Sequence, residues 1–373
     1  MKQSPGSLVF YVSGHGFGHA SRDIQVLNAV RRQAPDLRIV VRSRVVRWFF
    51  DLSMQASVEH EPADTDSGIV QVDGLTLDED ESARRAAAFY STFPSRVREE
   101  AAALRALQAS VVVGDIPPLA FAAAAAGGIP SIALGNFTWD WIYGAYPQFE
   151  SLAPRVVPLI REAYSTASLA LRLPFGGGFE PMRAVTGDLP LIARQSARPR
   201  EETRRLLGLD VRARVVLPSF GGHGTSLPYA EIARRMECCV VVTDHEMREA
   251  SDSGGRLRRF PASELRARGI GYEDLVAAAD LVVSKPGYGI VSECIANHTP
   301  LLYTSRGRFI EHDVMVAQMP RFLRCRFLPQ DDLRTGRWGD AADALLQQSE
   351  PTERMATNGA ETAARAILTL LNP

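Results

Sequence analysis

Two histidines alternate with glycines in the stretch LVFYVSGHGFGHASRD, residues 8–23, and they are the residues of this chain best suited to moving a proton. An imidazole titrates near pH ~6.5, so at neutral pH it can take up a proton and release it again. Four β-formers, Val9 to Val12, precede the loop and read as a buried strand. Gly14, Gly16 and Gly18 permit a sharp turn and close approach to a ligand. From Ala20 the pattern is helical, with Ile24, Leu27 and Val30 on one face. Strand, glycine turn and helix together place ligand groups at a helix N-terminus, where unpaired N–H groups favour anions. The alternative is a tight βα turn carrying two exposed histidines, and the loop alone does not decide between them.

Other stretches offer anion- and sugar-binding chemistry. In LPSFGGHGTS, residues 217–226, Gly221, Gly222 and Gly224 let backbone amides face a phosphate before a helix near Pro228. In ADLVVSKPGYGIVSECIANHTPLLY, residues 279–303, a buried strand runs into Lys285, Pro286 and Gly287. Tyr288 and Gly289 then open a helix that carries Ser292 and Glu293 in its early turns. A carboxylate there can accept both ribose hydroxyls while the helix start faces a diphosphate. Glu311 and His312 stand where the next helix begins; each acid also suits a first turn for its charge alone. Asp115, in GDIPPLA, either orients His19 as a carboxylate orients an imidazole, or caps the following helix. Asn136, Trp139, Asp140 and Trp141, in GNFTWDWIYGAY, offer flat faces and polar partners for a sugar or another acceptor, with buried packing as the alternative.

Elements of regular structure must hold these residues. At 373 residues the chain is long for one core, and two domains are expected. Candidate strands are 8–13, 38–43, 67–72, 110–114, 130–134 and 167–172 in the first half, and 214–219, 238–243, 281–284 and 300–304 in the second. Helical periodicity marks 20–33, 82–108, 118–126, 152–166, 227–236, 272–279, 288–297 and 311–319, and an amphipathic helix closes the chain at 354–371. Such alternation implies parallel, doubly wound sheets with helices on both faces. The polar segment near 192–205 reads as the linker between domains 1–192 and 200–350. Each glycine-rich stretch falls at a strand's C-terminal end, where ligands bind in such sheets.

Composition narrows the function. A net charge of −1 provides no field to recruit nucleic acid or anionic membrane. Lysine occurs only at Lys2 and Lys285, a bias towards arginine that fits a GC-rich bacterial genome. Cys238, Cys239, Cys294 and Cys325 lack metal-ligand spacing and read as reduced thiols of a cytoplasmic protein. No secretory signal or membrane span is visible, although RVVRWFFDLSM, 44–54, mixes arginines with aromatics and reads as a partly buried helix with weak peripheral membrane contact as its alternative. Asp64–Thr65–Asp66 and Asp78–Glu79–Asp80 match the Asp-x-Asp pattern of metal-dependent transferases, but neither sits at a glycine-loop strand end. His60, His245 and His298 read as structural.

The order of GHGFGHASR, SFGG and GYEDLVAAADLVVSKPGYGIVSE, followed by EHDVMVAQM, resembles nucleotide-sugar glycosyltransferases of the GT-B fold. It is similar to the UDP-glycosyltransferases and to the N-acetylglucosaminyltransferase of peptidoglycan synthesis. YVSGHGFGHASR, GNFTWDWIY and SKPGYGIVSE resemble the glycosyltransferase-like N-terminal region of plant L-arabinokinases. The likeness spans roughly residues 8 to 320. It implies two Rossmann-like domains facing a cleft, a donor nucleotide on the C-terminal one, an acceptor on the N-terminal one, and a last helix that returns to the first domain. It implies His19 as the catalytic base, Gly287 and Glu293 as diphosphate and ribose contacts, and Glu311 with His312 as the donor-sugar pair; His312 departs from the usual glutamine. His15, Gly16 and Gly18 fall where the loop shapes the site or meets donor phosphates. No metal and no cofactor beyond the donor are implied. No kinase-type phosphate loop follows residue 320, so sugar phosphorylation is not expected. The expected activity is an inverting, metal-independent transfer from a UDP-sugar to an acceptor hydroxyl. A nucleotide-sugar 2-epimerase and a non-catalytic sugar-nucleotide-binding protein are the alternatives.

Overall fold

An apolar run without alternation marks a strand buried on both faces, and β1 (Ser7–Val12) is buried along its whole length. The computed structural model describes residues 6–14, 17–72, 75–221, 227–243 and 255–371. After β1 come β2 (Ile39–Ser43), β3 (Glu59–Pro62), β4 (Val70–Gln71), β5 (Leu77–Asp78), β6 (Ala109–Asp115), β7 (Ser131–Phe137), β8 (Leu169–Gly177) and β9 (Thr186–Asp188). β4 and β5 pair only with each other. The rest form a parallel sheet in the order β3-β2-β1-β6-β7-β8-β9. This sheet belongs to a first compact unit of Met1–Val70, Asp78–Ile192 and Ala356–Pro373.

The second unit, Gln71–Leu77 with Ala193–Met355, repeats the scheme. Its strands are β10 (Val215–Ser219), β11 (Cys239–Thr243), β12 (Leu257–Phe260), β13 (Leu281–Ser284), β14 (Leu301–Tyr303) and β15 (Cys325–Phe327). They run parallel in the order β12-β11-β10-β13-β14-β15 over a core that includes Val216, Val283, Leu302 and Trp338. Each sheet reverses its winding beside its first strand, between β1 and β6 and between β10 and β13. A doubly wound sheet opens its ligand crevice at that reversal, beyond the strands' C-terminal ends. The expected fold class, two doubly wound parallel α/β sheets, is therefore the observed one.

Local departures have local causes. The single helix expected over 82–108 is two, Glu79–Ser91 and Phe93–Ala106, because Pro94 cannot donate a backbone bond and starts a new first turn. The helix expected over 152–166 is the shorter Val156–Tyr164, and a separate helix, Pro147–Leu152, precedes it. Within the expected strand 67–72 only β4 forms, outside the main sheet. The supposed linker contributes the helix Arg200–Leu206, whose buried Arg204 donates to the carbonyls of Ala278, Val211 and Ala213 and to Asp280. Strands β3, β9, β12 and β15 escaped sequence reading; all four are short, each closes a sheet edge, and their polar residues mask the pattern. The helix Arg47–Ser53 buries Phe50 and leaves Trp48 half exposed. All four cysteines are free thiols, and among the described residues no helix is long and apolar enough to cross a membrane.

The last helix, Gly359–Leu371, packs against the first, Phe17–Gln33, within the first unit. Gly359 seats the start of the last helix against the chain at 190–192: a Cβ there would lie 2.2 Å from the carbonyl oxygen of Pro190. Ala363, Ala364 and Ile367 are buried beneath it. Ile367→Ala should cost about 2–5 kcal/mol, as truncation of a large aliphatic core residue does. Calorimetry should show the transition of the first unit moved to lower temperature and that of the second unchanged.

Candidate active site

Three adjacent strands of the first unit end together, and a buried polar cluster fills the spot. Val12, the last residue of β1, stands in register with Asp115, the last of β6, and the Ser13 amide donates to the Asp115 carbonyl at 2.8 Å. The neighbouring β7 runs past that level and carries Asn136 near its end. The first helix supplies His19 from its first turn and Arg22 three residues later on the same face. His19 Nδ1 lies 2.9 Å from Asp115 Oδ1, Arg22 Nε donates to Asp115 Oδ2 at 2.6 Å, and Arg22 Nη1 donates to Asn136 Oδ1 at 2.6 Å. His19 is 7 % exposed, Arg22 5 %, and Asp115 and Asn136 not at all. Phe137 meets the His19 ring edge-on, with centroids 5.6 Å apart.

This arrangement sets the histidine's chemistry. Burial alone would raise the Asp115 carboxyl, but Arg22 and His19 outweigh it and hold the group well below the usual carboxylate range. An ionised carboxylate only accepts, so Nδ1 carries the proton and Nε2 is left as the basic nitrogen. Arg22 Nη2, 3.1 Å from Nδ1, donates to Asp115 as well, and its approach to the imidazole is a contact of two donors. Asp66 completes the surroundings: its Oδ2 accepts from Trp139 Nε1 at 3.1 Å and it binds the Ser13 side chain. Burial raises its carboxyl above the ordinary value against the opposing pull of Ser13, His19 and Trp139.

In the second unit β10 and β13 end side by side, with Ser219 opposite Ser284. The Ser284 hydroxyl donates to the Ser219 carbonyl, and Tyr272 donates to the Ser219 hydroxyl at 2.6 Å. Lys285, half-buried, and Gly287 follow β13; Gly287 precedes the helix Tyr288–Ala296. Glu293 is buried on that helix and accepts from Arg194 Nε at 2.6 Å, while the Arg194 guanidinium also lies 3.8 Å from Glu273 and over the Tyr272 ring. Burial raises the Glu293 carboxyl, and Arg194 opposes it. Glu311, buried in the first turn of Ile310–Gln318, meets Arg306 at 3.3 Å; the same Nη1 donates to the Pro286 carbonyl at 3.2 Å. Arg306 thus ties the loop after β13 to the helix bearing Glu311 and His312. His312 is half-buried, its Nδ1 has no hydrogen-bond partner among the described residues, and burial lowers its pKa.

Several expected roles change. Trp139 is fully buried, stacked on Tyr143, and offers no face to an acceptor. Asp140 is buried and held by Arg161 at 3.1 Å, and Asn136 serves Arg22. Trp141 is only partly buried, its ring seated where any Cβ at Gly177 would lie 2.5 Å from its Cζ2. Ser292 is buried and donates to the Gly289 carbonyl, and Tyr288 is buried as well. Gly18, Gly221 and Gly289 retain exposure. His15, Gly16, Gly222, Gly224 and His245 lie outside the described residues. Asp78 caps its helix by accepting from the Glu81 amide at 2.8 Å, and Asp64 pairs with Arg44 at 3.3 Å. His60 reaches the Val45 carbonyl at 2.9 Å. Sequence reading passed over Arg22, Arg194 and Arg306, and noted Asp66 only within an Asp-x-Asp triplet; the three-residue spacing of Arg22 from His19 was the local signal.

Comparison with known proteins agrees with this architecture. No family model matches the chain. It is 30% identical over 371 residues to L-arabinokinase of Arabidopsis thaliana, an alignment that covers 96% of this chain but 34% of that protein. The chain thus spans about a third of that relative's length. Among solved structures, the glycotransferase of kitacinnamycin superposes over 99% of this chain and 100% of its own, with a TM-score of 0.63 and 15% identity. A UDP-glucosyltransferase from Polygonum tinctorium matches over 100% of both chains, with a TM-score of 0.59 and 13% identity. The glycosyltransferase SnogD from Streptomyces nogalater matches over 98% and 99%, with a TM-score of 0.55 and 14% identity. The chain has the GT-B fold, and it resembles the glycosyltransferases built on that fold.

The Asp115 cluster has a signature in acid. Because its folded pKa is depressed, its stabilisation is complete above the unfolded value near ~3.9 and is lost as pH falls from there towards the folded value. The wild-type melting temperature should therefore drop below about pH 4. Asp115→Asn leaves Arg22 without its charge partner and should be less stable at neutral pH by about 3–5 kcal/mol. Its melting temperature should also vary less between pH 4 and pH 2.5; a variant as acid-sensitive as the wild type would place that sensitivity elsewhere.

Proposed function

We propose that the protein is an inverting glycosyltransferase that moves a sugar from a nucleoside-diphosphate sugar to an acceptor hydroxyl without a metal. The observation that carries the reading is the buried His19–Asp115 pair at the strand reversal of a GT-B first unit. Asp115 fixes the tautomer, and Nε2 of His19 takes the acceptor proton as the acceptor oxygen attacks the anomeric carbon. The bond from that carbon to the donor phosphate oxygen breaks on the opposite face, and the diphosphate leaves with the electron pair.

The second unit holds the donor in this reading. Amide groups at the start of Tyr288–Ala296, with Lys285 beside them, stabilise the charge on the departing diphosphate. Glu293 accepts from the ribose hydroxyls, with Arg194 favouring its ionised form. Glu311 and His312 face the donor sugar, and Trp141 serves the acceptor. Uridine is the proposed base, supported by the likeness to a UDP-glucosyltransferase.

Two variants separate these roles. His19→Ala should lose about 10²–10⁴-fold in turnover, measured by glycoside formation in EDTA, and keep its nucleotide affinity. Glu293→Ala should weaken UDP binding by roughly 1–3 kcal/mol in calorimetry, the cost of losing a charge-assisted hydrogen bond. A His19→Ala enzyme with wild-type turnover would exclude His19 as the base, and unchanged UDP affinity would remove Glu293 from the nucleotide site.

A further inference from the structure

Asp23 follows Arg22 directly and lies one helical turn beyond His19. Its side chain is entirely buried, and neither carboxyl oxygen meets a donor. The carboxyl group that acts on it is that of Asp115. Around Asp115 the other partners are donors: Arg22 Nε and Nη2, and His19 Nδ1. Two carboxylates buried together repel, whereas one proton between them turns the repulsion into a hydrogen bond. Arg22 and His19 decide where that proton rests. Both address Asp115, so Asp115 keeps the charge and Asp23 keeps the proton.

The charged groups acting on Asp23 are Asp115, from β6, and Arg22, from its own helix. Burial first and Asp115 second drive its carboxyl well above the ordinary range, while Arg22 opposes them. Building on the reading of His19 as the base, we propose that Asp23 is held as a neutral carboxylic acid that donates its proton to Asp115, a positioning residue for the His19–Asp115 pair. The charge of Asp115 is then shared among Arg22, Asp23 and His19. Asp115 orients the imidazole without binding its protonated form so tightly that the proton taken at Nε2 cannot leave again.

The test reads the proton itself. Infrared difference spectra of the wild-type protein against Asp23→Asn at pH 7 should contain the carbonyl stretch of a protonated carboxylic acid, lost in the variant. Asparagine keeps a neutral donor of the same shape, so the His19 Nδ1–H proton resonance should stay at its wild-type position in Asp23→Asn. In Asp23→Leu, where Asp115 loses a donor and leans harder on His19, that resonance should move downfield. Absence of the protonated-acid band overturns the proposal. So does an upfield move in Asp23→Asn, the response to removing a negative charge. If Asp23→Leu does not fold, the other two measurements decide. None of these readouts uses turnover, so failure to find any sugar transfer would count against the proposed activity and leave the protonation state of Asp23 separately decided.

Discussion

A carboxylate with no exposed surface must find its solvation inside the protein, and Asp115 is such a group. An isolated ion moved out of water is costly, and several charge-assisted hydrogen bonds are needed to offset that. Arg22 supplies two of them and His19 a third. Because these donors come from the first helix, and Asn136 at the end of β7 receives the remaining arm of Arg22, one buried charge locks helix, β6 and β7 together. The fixed position of the His19 ring follows from it, and in the proposed reaction a group held in place would cost less reorganisation.

The second unit uses arginine in the same way at several points. Arg194 sits on Glu293, Arg306 joins Glu311 to the Pro286 carbonyl, and Arg204 gathers three carbonyls and Asp280. A planar, permanently charged fork suits such buried junctions better than an ammonium does. In a chain with only two lysines, Lys285 therefore marks a place where a compact cation follows a sheet's central strand. The carboxylates Glu293 and Glu311 are each held by an arginine.

Periodicity and glycine placement carried the architecture into view from the sequence. Unbroken apolar runs such as LVFYV and ADLVVS can be little else than strands covered on both faces, and glycine clusters after them mark the ends where ligands sit. Short edge strands were illegible because a strand with polar residues such as Glu59–Pro62 owes its existence to the neighbour it pairs with. The break at Pro94 was legible in principle, since it follows from a missing N–H and needs no tertiary contact.

What the sequence determined by itself, then, was the alternation of elements, the loops at strand ends, and His19 in the first turn of a helix. Only the tertiary structure decided which side chains share a charge. Asp115 lies 96 positions from His19, and Arg194 lies 99 from Glu293. No local pattern encodes such pairs, because they arise from the order in which parallel strands sit side by side. The same holds for Trp139, whose identity suggests a sugar platform and whose burial makes it core. Residue type fixes what a group can do; the sheet order and the packing around it fix whether a ligand or the protein itself receives it.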